Sequence, residues 1–130
     1  MHDKIEIFRV AAAMARHAGT RQALVAQNIA NADTPGYKAR DVVPFAELVS
    51  RDTGGFYTRA TRAGHLNGRD GSLRPEIVAA KDALANPNDN QVTLEAEMLK
   101  AVAVKRQHDR ALAIYRSGLN ILRTSLGRGA

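Results

Sequence analysis

Four histidines, thirteen carboxylates and a run of asparagines are the side chains of this 130-residue chain with chemistry to offer. His2, His17, His65 and His108 form no HExxH and no close ligand pair, so their spacing predicts no metal centre. Asn86, Asn88, Asn90 and Glu97 fall at positions 1, 3, 5 and 12 of a calcium-loop spacing. Gln91 stands where such a loop requires glycine, Pro87 interrupts it and its first position carries no charge, so a turn followed by a helix cap is expected instead. The carboxylates are spread singly, and Gly64, Gly68 and Gly71 have the wrong spacing for a dinucleotide site. No nucleophile elbow or phosphate loop is present, and the absence of Cys removes thiol catalysis, Cys-based zinc sites and disulfides together. Neither enzymatic activity nor a cofactor is expected.

The elements that carry these residues are helices with a thin core. Of the 130 residues 23 are alanine and 29 are Leu, Ile, Val or Phe, about 22%, which is near the lower edge of what a packed domain needs. Phe8, Ala11, Ala15, Ala18, Gln22, Val25, Ile29 and Ala32 alternate three and four apart, predicting a heptad seam on a helix over about residues 4–32. Leu94, Met98, Ala101, Lys105, His108, Leu112, Tyr115, Leu119, Leu122 and Leu126 repeat the pattern, predicting a second helix over about 92–126. Asn90 is its expected N-cap and Gly127 its expected C′ residue. At 1.5 Å per residue this helix would run ~52 Å, far beyond the ~14 Å radius of gyration of a compact chain of this size, so the molecule should be elongated.

The organisation that follows is one mainly α structural domain in three segments. They are residues 1–37 (N-terminal helix and turn), 38–90 (turns and short strands) and 91–130 (C-terminal helix). Phe56–Thr61 and Leu73–Val78 are strand candidates in the middle segment, and one helical turn is expected near Phe45. The apolar stretch from Val10 to Ala15 is too short for a membrane span or a secretory signal, so neither insertion nor a cleaved leader is expected.

Where the first helix ends, Pro35 biases Thr34 away from the α region, and Thr34-Pro35-Gly36-Tyr37 places Pro and Gly at the central positions of a type II turn. Asn28 and Asn31 share a helical face, where their amides can bond the freed carbonyls, the turn or a neighbouring subunit. A valine at Gly36 should strain this turn more than a valine at Ala39, expected to be exposed. Charge is also localised: residues 1–99 carry 12 basic and 12 acidic side chains, whereas residues 100–130 carry 7 basic ones against Asp109 alone. The whole +6 therefore belongs to the last 31 residues, which admit an alternative reading as a basic-helix nucleic-acid-binding protein. Against it, Tyr115 is the segment's only aromatic residue and no nucleic-acid motif accompanies the charge.

The string Asn28-Ile29-Ala30-Asn31-Ala32-Asp33-Thr34-Pro35-Gly36-Tyr37-Lys38 resembles the N-terminal signature of the bacterial flagellar rod, hook and related axial proteins, N-[IL]-A-N-x-x-T-P-G-[YF]-[KR], at every fixed position. Thr61 to Leu66 and Asn86 to Met98 look like two further segments of short proximal-rod members, the second being D-G-N-x-V-x-x-x-x-E-M. Asn88-Asp89-Asn90 replaces Asp-Gly-Asn there, and Asp33 stands where many relatives have Asn. The resemblance implies a structural subunit of the basal-body rod, exported by the flagellar type III apparatus without a cleaved signal. It would lie in the periplasmic rod, meeting other rod subunits, the MS-ring junction and the export apparatus in a homo- and hetero-oligomer. The implied assembly seam comprises Phe8, Val25, Ile29, Leu94, Met98, Leu112, Tyr115, Leu119, Leu122 and Leu126. Isolated helices whose seam is mainly alanine are marginal in water, so the termini would order fully only on assembly.

Overall fold

A computed structural model describes residues 2–53, 73–81, 84 and 86–127, with the side chains of residues 2–5 and 53 left aside. The chain runs through α1 (His2–Ala30), β1 (Arg40–Val42), α2 (Phe45–Thr53), β2 (Ile77–Ala79) and α3 (Leu94–Gly127). The expected strand at Phe56–Thr61, His65 and the segment from Thr61 to Leu66 lie outside the described residues.

The protein is mainly helical and built on an antiparallel hairpin of α1 and α3. Three contacts fix its register. Phe8 stacks edge-on against Tyr115 with ring centroids 5.2 Å apart. His17 meets Gln107 at 2.8 Å, and Asn28 meets Glu97 at 3.1 Å. The two long elements are about 43 and 51 Å long at the ordinary helical rise, which makes the molecule elongated as the periodicity predicts.

Gly118 sets the approach at the far end of the hairpin. A Cβ there would lie 3.0 Å from the Phe8 ring, so glycine lets the ring lie against the α3 backbone and a larger residue would push it outward.

β1 and β2 pair antiparallel, with Asp41 opposite Val78, and the ladder extends through Val43 N–H to Glu76 O at 2.9 Å and Ala80 N–H to Ala39 O at 3.0 Å. The expected strand over Leu73–Val78 is thus shorter and later, because Leu73 turns inward to the core while only Ile77–Ala79 find a pairing edge. α2 is longer than the single turn expected near Phe45. Its Leu48 packs with Ala13, Val43 and Leu73, and Val10, Phe45, Val49 and Val78 close around them.

This core is small, and the most completely buried large side chains of the described residues are His17, Val104, Asn28 and Asn90. Three of the four are polar. Apolar burial alone therefore does not define the centre of the fold, and hydrogen bonding to those three groups has to be complete for the arrangement to hold.

The seams face differently from their sequence pattern. On α1, Ala11, Ala18 and Val25 are buried as expected, Gln22 is exposed, and Ala13, His17, Leu24 and Asn28 form further buried positions because β1 and α2 cover a second side of the helix. On α3 the buried positions are Glu97, Val104 and Ala111, one residue before Met98, Lys105 and Leu112. Gly127 is the last helical residue of α3 rather than the residue beyond it.

Candidate functional site

The Asn28–Lys38 string and the Asn86–Met98 string, some sixty residues apart in the chain, meet at one end of the helix hairpin. Thr34 to Tyr37 form the expected turn: Tyr37 N–H donates to Thr34 O at 3.2 Å and Gly36 has φ of 72°. That positive φ is why glycine stands there, since an L side chain is strained by it whatever the space around it. A second turn follows β2, where Asp89 N–H donates to Asn86 O at 2.8 Å and Asp89 itself has φ of 60°. Asp89 thus occupies the position of the glycine in the D-G-N pattern and adopts the conformation that glycine would supply. The two turns are joined by backbone bonds, Gly36 N–H to Asn88 O at 3.1 Å and Gln91 N–H to Tyr37 O at 3.0 Å.

Asn28 uses its whole hydrogen-bonding capacity. Its Nδ2 donates to Arg40 O at 2.8 Å and to Glu97 Oε2 at 3.1 Å. Its Oδ1 accepts from Arg40 N–H at 3.2 Å and from Tyr37 Oη at 3.3 Å. The side-chain amide thus pairs with Arg40 as a neighbouring strand would, and hands the start of β1 to α1 and α3 together. Aspartate has the same shape but lacks both donors and would set a second carboxylate beside Glu97, so asparagine is the residue this position needs.

Asn90 works in the opposite direction. The sequence predicts it as the N-cap of α3, but Thr93 holds that position, its carbonyl accepting from Glu97 N–H at 3.0 Å. Asn90 Nδ2 instead donates to Asn31 O at 2.9 Å and Thr34 O at 2.6 Å, closing the exit of α1, while its Oδ1 accepts from Val92 N–H at 2.7 Å. Asn31 turns its own amide back to Gln27 O at 2.8 Å and accepts from Thr34 Oγ1 at 3.2 Å. With Asn90 and Glu97 engaged inside the protein, these two members of the calcium-loop spacing have their polar atoms committed elsewhere.

Charge continues the joint along the hairpin. Arg21 grips Asp41 with two bonds of 3.0 and 3.2 Å, Lys100 Nζ lies 3.8 Å from Asp41 and donates to Glu97 Oε1 at 3.0 Å. Buried Glu97 is therefore paired on both oxygens. Next along, His17 Nε2–H donates to Val43 O at 2.7 Å, and its Nδ1 accepts from Gln107 Nε2. Sequence reasoning missed His17, Arg21, Asp41 and Lys100, which are tied to partners distant in the chain; the i, i+3 spacing of Glu97 and Lys100 was the local signal.

The remaining string residues are peripheral. Ala30 and Pro35 are exposed, Ile29 is half-buried, and Lys38 makes an exposed ion pair with Asp89 at 3.1 Å. Ala39, expected to be exposed, is buried at 1% exposure, where its carbonyl extends the β1 ladder by accepting from Ala80 N–H.

Of the residues expected to form the seam, Leu119 and Leu122 are half-buried, while Leu94, Met98, Leu112, Tyr115 and Leu126 are exposed; Tyr115 still holds the Phe8 ring. Leu94, Met98 and Val102 line one flank of α3 at successive turns, and Leu112 continues it beyond the Lys105–Asp109 pair. The Lys105 hydrogen bond holds the Asp109 carboxyl below its ordinary range. Across the molecule, hydrogen bonds to Glu76 and Glu47 raise the Arg51 guanidinium above its ordinary value. No helix among the described residues is long and apolar enough to cross a membrane.

The comparisons with known proteins point to a single family. A profile described as flagella basal body rod protein matches residues 10–38, covering most of α1 and the whole of the first turn. The flagellar basal body rod protein FlgB of Agrobacterium fabrum is 33% identical over 119 residues, 87% of each chain. FlgB of Cereibacter sphaeroides is 31% identical over 82% of this chain and 83% of its own length. FlgB of Bacillus subtilis is 29% identical over 86% of each.

Proposed function

Because the chain belongs to the FlgB family of flagellar basal body rod proteins, we propose that it builds the proximal rod by packing the flank of α3 against neighbouring subunits. It is a structural component of the flagellar basal body, not an enzyme. The joint at Asn28, Asn90 and Glu97 serves the subunit itself, fixing the angle at which the middle segment leaves the hairpin. The terminal helices then present their free faces to other rod subunits and to the junction with the MS ring. In this reading the chain reaches the periplasmic rod through the type III export apparatus, self-assembles there, transmits torque and forms part of the export conduit.

The observation that supports this reading best is the flank of α3. Leu94, Met98, Leu99 and Val102 are all exposed within the first nine residues of the helix. A run of large apolar side chains on one element of a soluble monomer marks a contact surface, and each such residue gains about 1.5–3 kcal/mol on full burial. The test is to isolate basal bodies from cells carrying a cross-linkable residue at Met98. The reading expects the chain at the membrane-proximal end of the rod, cross-linked to another rod subunit. Basal bodies that lack the chain would refute it.

A further inference from the structure

On the side of α3 away from Met98, a groove of about 800 Å³ opens between α3, α1 and the β1–α2 corner. Its walls include apolar Met14, Val43, Phe45 and Val78, and its rim is charged. Within the lining, Asp41 is held by Arg21 and Lys100, and Glu47 and Glu76 are both held by Arg51. Three cations of the lining remain: Arg106 and Arg110, one turn apart on α3, and Lys81 beyond β2, none with an ionic partner among the described residues. An apolar trough edged by three cations that have no ionic partner among the described residues fits a segment that carries both apolar residues and carboxylates.

We propose that this groove docks an acidic, amphipathic peptide segment of a different protein, its carboxylates meeting Arg106, Arg110 and Lys81 and its apolar side chains lying over Phe45 and Val78. A second copy of this chain fits less well, because each copy carries a net +6 and the 12 acidic side chains of its residues 1–99 are matched by 12 basic ones. A nucleic-acid backbone fits poorly as well, because the trough offers apolar walls that a sugar–phosphate chain does not use. The inference does not depend on the rod reading, since it names only the chemistry of the occupant.

The probe is a fluorescein-labelled 14-residue helical peptide of Glu and Leu, titrated into the full chain and followed by anisotropy. Saturable binding is expected, weakened at least ~tenfold by Arg106→Glu with Arg110→Glu, whose side chains are exposed and whose reversal leaves the fold intact. Ala103→Trp, which places an indole in the groove from an exposed helix position, should block binding with an unchanged circular dichroism spectrum. Three results overturn the proposal: no saturable binding, equal affinity in these variants, or displacement of the peptide by duplex DNA at equal concentration. Sedimentation that shows a dimer lost in the charge-reversed variant would likewise assign the groove to a second copy and overturn it.

Discussion

The two ends of the α1–α3 hairpin are held by opposite kinds of contact. At the joint, Asn28, Asn90 and Glu97 are all buried at 2% exposure or less, and each is bonded to elements distant in the chain. At the far end, Phe8 lies against Tyr115 and Gly118, and beyond them Ile121 and Leu126 stand in solvent. Hydrogen bonds are directional and costly to leave unmade, so the joint admits one geometry. Apolar contact is adaptable, and the exposed apolar residues of α3 can be covered by whichever helix a neighbour supplies. A subunit of an assembly needs both: one end that fixes its own shape, and surface left uncovered for partners.

Substitutions sharpen this contrast in order of expected effect. Asn28→Asp removes two donors, leaves Arg40 O unmatched and adds a charge beside Glu97, so it should cost about 3–4 kcal/mol in urea unfolding. Adding Glu97→Gln should return part of that loss by restoring a donor and removing the repulsion. Asn90→Ala frees the carbonyls of Asn31 and Thr34 and should cost about 2 kcal/mol by the same measurement. The left-handed residues should respond in opposite directions. Gly36→Val is expected to cost about 1–2 kcal/mol, although nothing lies within 4 Å of its Cβ position. Asp89→Gly is expected to gain about 0.5 kcal/mol, relief of backbone strain outweighing the loss of the exposed Lys38 pair. Ala39→Val is no control for these, since Ala39 is buried; alanine at exposed Asp33 serves instead.

The smallest effect on stability should come from the flank of α3. Met98→Glu with Val102→Glu should change the unfolding free energy by under about 0.5 kcal/mol, because both side chains are exposed in the monomer. The same pair should abolish rod incorporation and motility in a complementation assay. A motile double variant would remove this flank from the assembly surface.

Both long helices are legible in the sequence because their apolar period persists over many turns, and Pro35 with Gly36 marks where the first must stop. The facing of α3 is not. Its inward positions are Glu97, Val104, Ala111 and Gly118, two of them chosen for small size and one for a carboxylate that Asn28 needs, so hydrophobicity points instead to Met98, Leu112 and Leu119, on an adjoining face. β1 and β2 are three residues each and are defined by pairing with one another, which no local pattern encodes. The candidate site is half legible: Asn28, Asn31, Thr34, Gly36 and Tyr37 stand out as a string, whereas the counterpart that makes them a joint is Asn90, whose cap-like context suggested the wrong helix. His17 resembles any lone histidine until Val43 and Gln107 are brought to its two nitrogens.

Hydrogen exchange on the isolated chain tests most directly whether one end is fixed by the chain alone and the other awaits partners. The account predicts the slowest exchange at Gly36, Arg40, Gln91 and Val92, whose amides are donors at the joint, with amides in residues 119–127 exchanging at least ~100-fold faster. Uniform protection along α3, or faster exchange at the joint than at the far end, would contradict it.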